Sequence, residues 1–212
     1  MKWIDVSLSL GTNTVHWPGH PRYKVGHMMS MEKGDAMNVT MFSMCSHFGT
    51  HVDAPRHYHV HGTSVDQLSL DLLVGPCRVV EYPGTEHIPE DFIQGLELEG
   101  VQRLLIRTRN SFIIEKPDFH EDYIALTPGA ARALVDTHVQ LLGVDGYSIG
   151  PYDHTMGKEV HEIFLISNPD RIAIEEINLS NIKPGDYQLV ALPLKLKGLE
   201  GAPVRVLLGI NE

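Results

Sequence analysis

His47-Phe48-Gly49-Thr50-His51-Val52-Asp53-Ala54-Pro55-Arg56-His57 gathers three histidines and an aspartate into one short run, broken by a glycine and a proline. The spacings are His-x3-His, His-x-Asp and Asp-x3-His. A helix would bring His47 and His51 to one side, but Pro55 breaks it. A strand would bring His51 and Asp53 to one face, although Gly49 weakens it. The run therefore reads as a strand that ends in a tight turn, its side chains converging on one point. Imidazole nitrogen and carboxylate oxygen suit a borderline cation such as zinc, and three protein ligands leave a position open for water. A purely structural hydrogen-bond network is the alternative. His57, His59 and His61 form a competing His-x-His-x-His pattern, but Gly62-Thr63 indicates that the chain is already turning there, so His59 and His61 read as polar loop residues.

Upstream, Trp3 to Leu10 alternates as a first strand, and Tyr23 to Met31 is a second. Between them, Trp17 stands among Pro18, Gly19 and Pro21 in a rigid, irregular loop. Ala36 to Cys45 reads as a strand running through Ser46 into the histidine run. Downstream, Ser64 is positioned to cap a helix over the Leu68–Leu73 region, which Gly75-Pro76 stops. Cys77 to Tyr82 and Arg103 to Thr108 are short apolar strands, with one or two helical turns over Pro89–Gln94. Thr127-Pro128 starts a helix that runs to His138. Leu141 to Gly146 is a strand, Val160 to Leu165 a short helix carrying His161, and Arg171 to Leu179 a strand. Lys183 to Asp186 is a turn, and Tyr187–Leu196 with Val204–Leu208 closes the chain as a hairpin. This order predicts a β-rich α/β protein in a single domain over residues 1–212.

The chain has 212 residues, enough for a substantial core, and ordinary apolar and charged content. Its formal net charge of -10 argues against nucleic acid and anionic membrane surfaces as partners. Cys45 and Cys77 do not resemble a disulfide framework and fit a reducing cytoplasm. No signal peptide or bilayer-length apolar stretch is apparent.

Other candidate residues carry weaker patterns. Asp145 ends a buried strand and is either a site residue or an Asp-Gly turn residue. Gly146-Tyr147-Ser148-Ile149-Gly150 matches the Gly-x-Ser-x-Gly elbow of serine hydrolases. That elbow opens directly into a helix, and Pro151-Tyr152-Asp153-His154 has no apolar helical period, so the segment reads as a Gly-rich loop. Glu175 and Glu176 lie in an apolar strand, where consecutive residues face opposite ways, so one of the two points inward and needs a partner.

Ser46 to His57 resembles the His-x-Gly-Thr-His-x-Asp-Ala-Pro-x-His signature of the metal-dependent cyclase/hydrolase family, whose members include bacterial kynurenine formamidase (arylformamidase) and isatin hydrolase. Asp5-Val6-Ser7, Trp17-Pro18-Gly19, Gly75-Pro76-Cys77, Leu105 to Thr108, Leu126-Thr127-Pro128, Gly143-Val144-Asp145 and Ile174 to Leu179 follow in the family's order. The resemblance is greatest to the formamidases. It implies a swivelling β/β/α fold, with a mixed β-rich core and flanking helices, and a homodimer. It also implies that His47, His51 and Asp53 hold a first zinc, and that Asp53 bridges to a second ion held by His161 and Glu175, manganese being the other candidate metal. His57 would be the acid/base and Trp17 would line the substrate pocket. The implied reaction is attack on an aryl formamide by hydroxide from a metal-coordinated water. The favoured substrate is N-formyl-L-kynurenine, giving L-kynurenine and formate. A cyclic amide or lactone hydrolase, such as an isatin hydrolase, and a noncatalytic metal-binding protein of the same fold are the rivals. Two departures from the formamidase pattern stand out: Asn168-Pro169-Asp170 looks like an inserted turn, and Glu176 stands where the family often has Asn, leaving it a possible ligand beside Glu175. The segment from Tyr147 to Gly157 also differs from the family's Thr-Pro-Ser.

Overall fold

A computed structural model describes residues 1–167 and 171–210. Its strands are β1 (Lys2–Asp5), β2 (Lys24–Met29), β3 (Val39–Ser43), β4 (His51–Asp53), β5 (Val74–Glu81), β6 (Arg103–Arg107), β7 (Leu141–Val144), β8 (Ile172–Glu175), β9 (Gly185–Pro193) and β10 (Gly201–Ile210). The α-helices are α1 (Leu70–Leu73), α2 (Glu90–Gln94), α3 (Pro128–Val135) and α4 (His154–Ser167). Seven strands close a ring in the order β10-β4-β8-β7-β6-β5-β9, because β9 pairs back onto β10, and β1 extends it alongside β10. The run from β5 through β8 is parallel and the other pairings are antiparallel. The result is the mixed, β-rich α/β core with flanking helices that the sequence implies. No helix among the described residues is long and apolar enough to cross a membrane.

The apolar run Leu104-Leu105-Ile106 explains how both faces of the ring are covered. All three side chains are fully buried, as parallel strands with two covered faces require. Leu105 packs inside the ring with Val52, Val79, Ile174 and Val206. Leu104 and Ile106 point outward, under Ala130, Leu134, Val160 and Phe164 of α3 and α4. Burying such a Leu or Ile stabilises by about 1.5–3 kcal/mol each. Thr127 caps α3 as expected, its Oγ accepting from Ala130 N–H at 3.2 Å.

Several boundaries depart from the sequence reading. The first strand ends at Asp5 instead of Leu10. Beyond it, Thr50 Oγ accepts from the Leu8 N–H at 2.8 Å and draws the chain toward the histidine run. The third strand stops at Ser43 and pairs only with β2, in a separate hairpin. The residues between it and β4 bend, and Gly49 takes a positive φ of 62°. Gly75-Pro76 does not stop an element but lies within β5. There β5 pairs only with β9, since pairing to β6 starts at Arg78. That free edge tolerates a residue with no N–H, and the Pro76 carbonyl accepts from Arg103. Helix α3 ends at Val135, short of His138.

Helix α4 is 14 residues long, well beyond the expected Val160–Leu165. Its missed start is a side-chain cap, since Asp153 Oδ1 accepts from the N–H groups of Thr155 at 3.0 Å and Met156 at 2.7 Å. The last apolar strand ends at Glu175, because Glu176 takes a left-handed φ of 58°. Strand β9 begins at Gly185, two residues before the expected Tyr187. Asn168-Pro169-Asp170, read as an inserted turn, lies outside the described residues.

Candidate metal centre and its pocket

Strand β4 carries the centre of the site. Val52 points into the ring, so His51 and Asp53 point out of it. The neighbouring β8 obeys the same alternation, with Ile174 inside and Glu175 outside, and the register pairs His51 with Glu175. Helix α4 lies over this face. Its buried positions are Gly157, Val160, His161, Phe164 and Leu165, which is helical spacing, so His161 comes down onto Glu175. A close crossing makes this possible: a Cβ on Gly150 would lie 2.7 Å from the Gly157 backbone. His47 arrives from the bend before β4, and His57 from the 3-10 turn that Pro55 opens after it.

These side chains surround a small space. His47 Nδ1 is 2.7 Å from Asp53 Oδ1, and His51 Nε2 is 3.3 Å from the same oxygen. Glu175 lies 3.4 Å from both His51 Nε2 and His161 Nε2. His57 Nε2 and His161 Nε2 are each 3.9 Å from Asp53 Oδ2. Atoms bound to one tetrahedral ion at about 2.1 Å stand roughly 3.4 Å apart, and the spacings from His51 Nε2 to Asp53 and from Glu175 to His51 and His161 match that value. His47 Nε2, His51 Nε2 and both Asp53 oxygens are buried with no hydrogen-bond partner. Native proteins rarely leave such atoms orphaned, and a cation satisfies them. Second contacts fix the rings: His51 Nδ1–H donates to the Gly49 carbonyl at 2.8 Å, and His161 Nδ1–H to the Gly157 carbonyl at 2.6 Å. Both Nε2 lone pairs then face the cluster.

Two triads bring their ligating atoms within 4.8 Å: His47, Asp53 and His57, and His51, Asp53 and Glu175. Asp53 belongs to both. In these groups His57 stands where a ligand could stand, and His51 faces Glu175. His161 joins the second group through Glu175.

The electrostatics follow from this crowding. Burial works against charge on His51 and His161. The contacts to Glu175 and Asp53 outweigh it and raise both pKa values. Burial also opposes the Asp53 charge, yet the surrounding histidines hold its pKa well below the carboxylate range. Glu175 is held at about 2, with His161 and His51 outweighing burial and the Asp53 charge. His57 goes the other way. Burial, helped by His47 and His161, pushes it down to about 4 against the pull of Asp53 and Glu175, so its ring is neutral at pH 7. Burial and the Glu175 charge push Glu176 up to about 8.

The cluster forms one end of a cavity of about 400 Å³. Trp17 lines it, packing edge-on against Tyr152 at 5.3 Å and Phe119 at 5.4 Å. Tyr147, Tyr152 and Ser148, from the segment that departs from the family pattern, also line it, as do Tyr58 and His20, which carried no signal in the sequence. Tyr58 stacks on the His161 ring at 4.7 Å. Ser148 Oγ lies 3.2 Å from His161 Nε2, the same nitrogen that faces Glu175, while the opposite nitrogen is bound to Gly157. A catalytic triad needs the acid on the opposite nitrogen, so this is not one. Asp145 is a structural anchor instead of a pocket residue. It accepts from the N–H and hydroxyl of both Thr108 and Ser111.

Fold and cluster together define a metal-dependent hydrolase of the cyclase type. The putative-cyclase family model matches residues 4–151, and the chain belongs to this metal-dependent cyclase/hydrolase family. It is 34% identical to a kynurenine formamidase of Bacillus cereus, across 98% of this chain and 97% of that one. The kynurenine formamidase of Bacillus anthracis is 33% identical over the same shares. Among solved structures, a "predicted metal-dependent hydrolase" from Bacillus stearothermophilus matches with a TM-score of 0.82 at 30% identity, covering 98% of this chain and 97% of that one. Isatin hydrolase A of Labrenzia aggregata shares the fold, with a TM-score of 0.81 at 22% identity, over 100% of this chain and 94% of that one.

Proposed function

We propose that the protein is an arylformamidase that hydrolyses N-formyl-L-kynurenine to L-kynurenine and formate with the help of zinc. The observation that carries this reading is a cluster of buried, unpartnered nitrogen and oxygen atoms at the end of a cavity walled by Trp17, Tyr147 and Tyr152. Near-full-length similarity to proteins named kynurenine formamidase supports the choice of substrate. Imidazole and carboxylate donors suit zinc, with manganese the alternative. His47, His51 and Asp53 would hold one ion; Asp53, His161 and Glu175 would hold a second. A bound divalent ion lowers the pKa of a coordinated water to about 7 and polarises a carbonyl oxygen.

The chain's own residues do the rest. The aromatic wall orients the aryl ring so that the formyl carbon faces the cluster. His57, neutral at pH 7, takes a proton from water at Nε2. As the water oxygen bonds to the formyl carbon and the C–N bond breaks, His57 returns that proton to the aryl nitrogen, leaving the free amine and formic acid, which ionises to formate. Tyr58, packed edge-on against His57 at 4.6 Å, holds that ring in place.

The test is to strip the purified protein of metal, restore zinc or manganese, and follow N-formyl-L-kynurenine by absorbance, with isatin as the cyclic-amide comparison. The expected result is turnover of the formamide that disappears with the metal and returns with it. Turnover of isatin alone, or none, refutes the assignment.

A homodimer and a cytoplasmic location belong to the same reading, as does a single domain over residues 1–212. The dimer is supported by the β2–β3 hairpin, which exposes Val25, Met28, Met41 and Phe42 away from the main sheet. Light scattering should give twice the chain mass, and a monomer at micromolar concentration rejects it. The location is supported by two unpaired cysteines.

A further inference from the structure

Glu176 is a buried acid that the cation cluster does not use. It belongs to neither ligand triad. Its side chain is 5% exposed, lines the cavity, and leaves Oε2 without a hydrogen-bond partner. Its backbone is the one non-glycine position among the described residues with a positive φ, 58°. Two contacts hold that conformation: the Glu176 N–H donates to the Gly146 carbonyl at 2.9 Å, and its carbonyl accepts from Thr50 Oγ at 2.5 Å. Left-handed backbone at a bulky residue costs of order 1 kcal/mol or more, and it persists only where the surroundings impose it. Here it ends β8 and turns the side chain out of the strand's alternation. The carboxyl group lines the same cavity as His51 and Glu175 of the ion cluster and Tyr147 of the aromatic wall. This is the seam between the ion cluster and the aromatic wall.

An aryl amide that spans the cavity has its ring on that wall and its carbonyl at the cluster. The atom joining them is the amide nitrogen, and it falls at the seam. A buried acceptor without a donor is costly, and an N–H delivered by the substrate relieves that cost. We propose that Glu176 is a specificity-determining residue, whose unpartnered carboxyl oxygen accepts the N–H linking the aryl ring to the scissile carbonyl and so selects secondary aryl amides over esters and N-alkylated amides. The inference rests on the arylformamidase reading and assigns a substrate atom to a residue that the reading leaves idle.

The test has two arms on the metal-loaded enzyme. The first compares kcat/KM for formanilide and phenyl formate, which differ by an N–H in place of oxygen. In Glu176→Leu the loss should be at least tenfold greater for formanilide than for phenyl formate. Glu176→Gln, which keeps an acceptor oxygen and the side-chain shape, should show a smaller loss. The second arm measures binding by calorimetry of acetanilide and of phenylacetone, which has CH2 in place of N–H. Wild type should prefer acetanilide and Glu176→Leu should not. Absence of formamide turnover with a Glu176-dependent binding preference would overturn the function but not the role of Glu176. Equal losses on both substrates in Glu176→Leu, or a wild-type binding preference in that variant, would overturn the role of Glu176. Should Glu176→Leu not fold, the absence of any preference for acetanilide over phenylacetone in the wild-type protein overturns it equally.

Discussion

The outer faces of β6 and of the β4–β8 pair sit on the same ring and are equally sealed, yet they are built from opposite chemistry. Under α3 and α4, β6 presents Leu104 and Ile106, packed in an apolar cluster with Ala130, Leu134, Val160 and Phe164. A few strands away, under α4, the ring presents His51, Asp53 and Glu175, also buried, with polar atoms that find no partner in the protein. The first face contributes stability through burial. The second carries a desolvation cost that only a cation, and then a substrate, offsets. The same fold thus separates the part that holds the ring together from the part that does chemistry.

Substitutions should divide along that line. The largest effect is expected at Asp53, which belongs to both triads that could hold an ion. Asp53→Asn should lower kcat/KM at least about a thousandfold, or ~4 kcal/mol, with loss of bound metal by elemental analysis. His57→Ala comes next. If His57 carries the proton, kcat falls by about 10²–10⁴-fold with metal content unchanged. Loss of metal with it would instead make His57 the ligand its place beside His47 and Asp53 allows. Leu104→Ala tests the other face. It should cost about 2–5 kcal/mol in denaturant unfolding, while metal content and kcat/KM per folded molecule stay at wild-type values.

The smallest effect is in the pH dependence. His51 and His161 have raised pKa values in the metal-free protein, so protons compete with metal. Metal affinity should fall steeply on acidification, and added metal should shift the acid limb of the activity profile to lower pH. His57 does not set that limb, since it stays neutral down to about pH 4. For folding, the raised histidines stabilise the metal-free protein below about pH 6.5, and that contribution is lost as pH climbs through their folded values. Glu176, raised to about 8, acts in the same direction, its contribution fading between its ordinary value and about pH 8. The melting temperature of the metal-free protein should therefore drop from pH 6 to 8.5, and Glu176→Gln should flatten the drop. An unchanged slope in that variant would show that Glu176 ionises freely.

How much of this was legible in the sequence depends on how local the signal is. The histidine run converges because its spacings act over a few residues and alternation in a strand needs no distant partner. Thr127-Pro128 worked for the same reason. The reach of α4 was missed because its first turn is polar, and its start is marked by Asp153 alone. The cavity wall brings Tyr58, just after β4, together with Tyr147 and Tyr152, between β7 and α4, and no local spacing announces that meeting. The Glu175–Glu176 ambiguity could not be resolved by alternation either, because a left-handed residue breaks it.

The account's central claim is most directly tested by titrating zinc or manganese into stripped protein while following bound metal and N-formyl-L-kynurenine turnover in the same samples. The account predicts turnover that rises in proportion to bound ion and saturates when the cluster around Asp53 is filled. Full turnover in protein proven free of metal would contradict it.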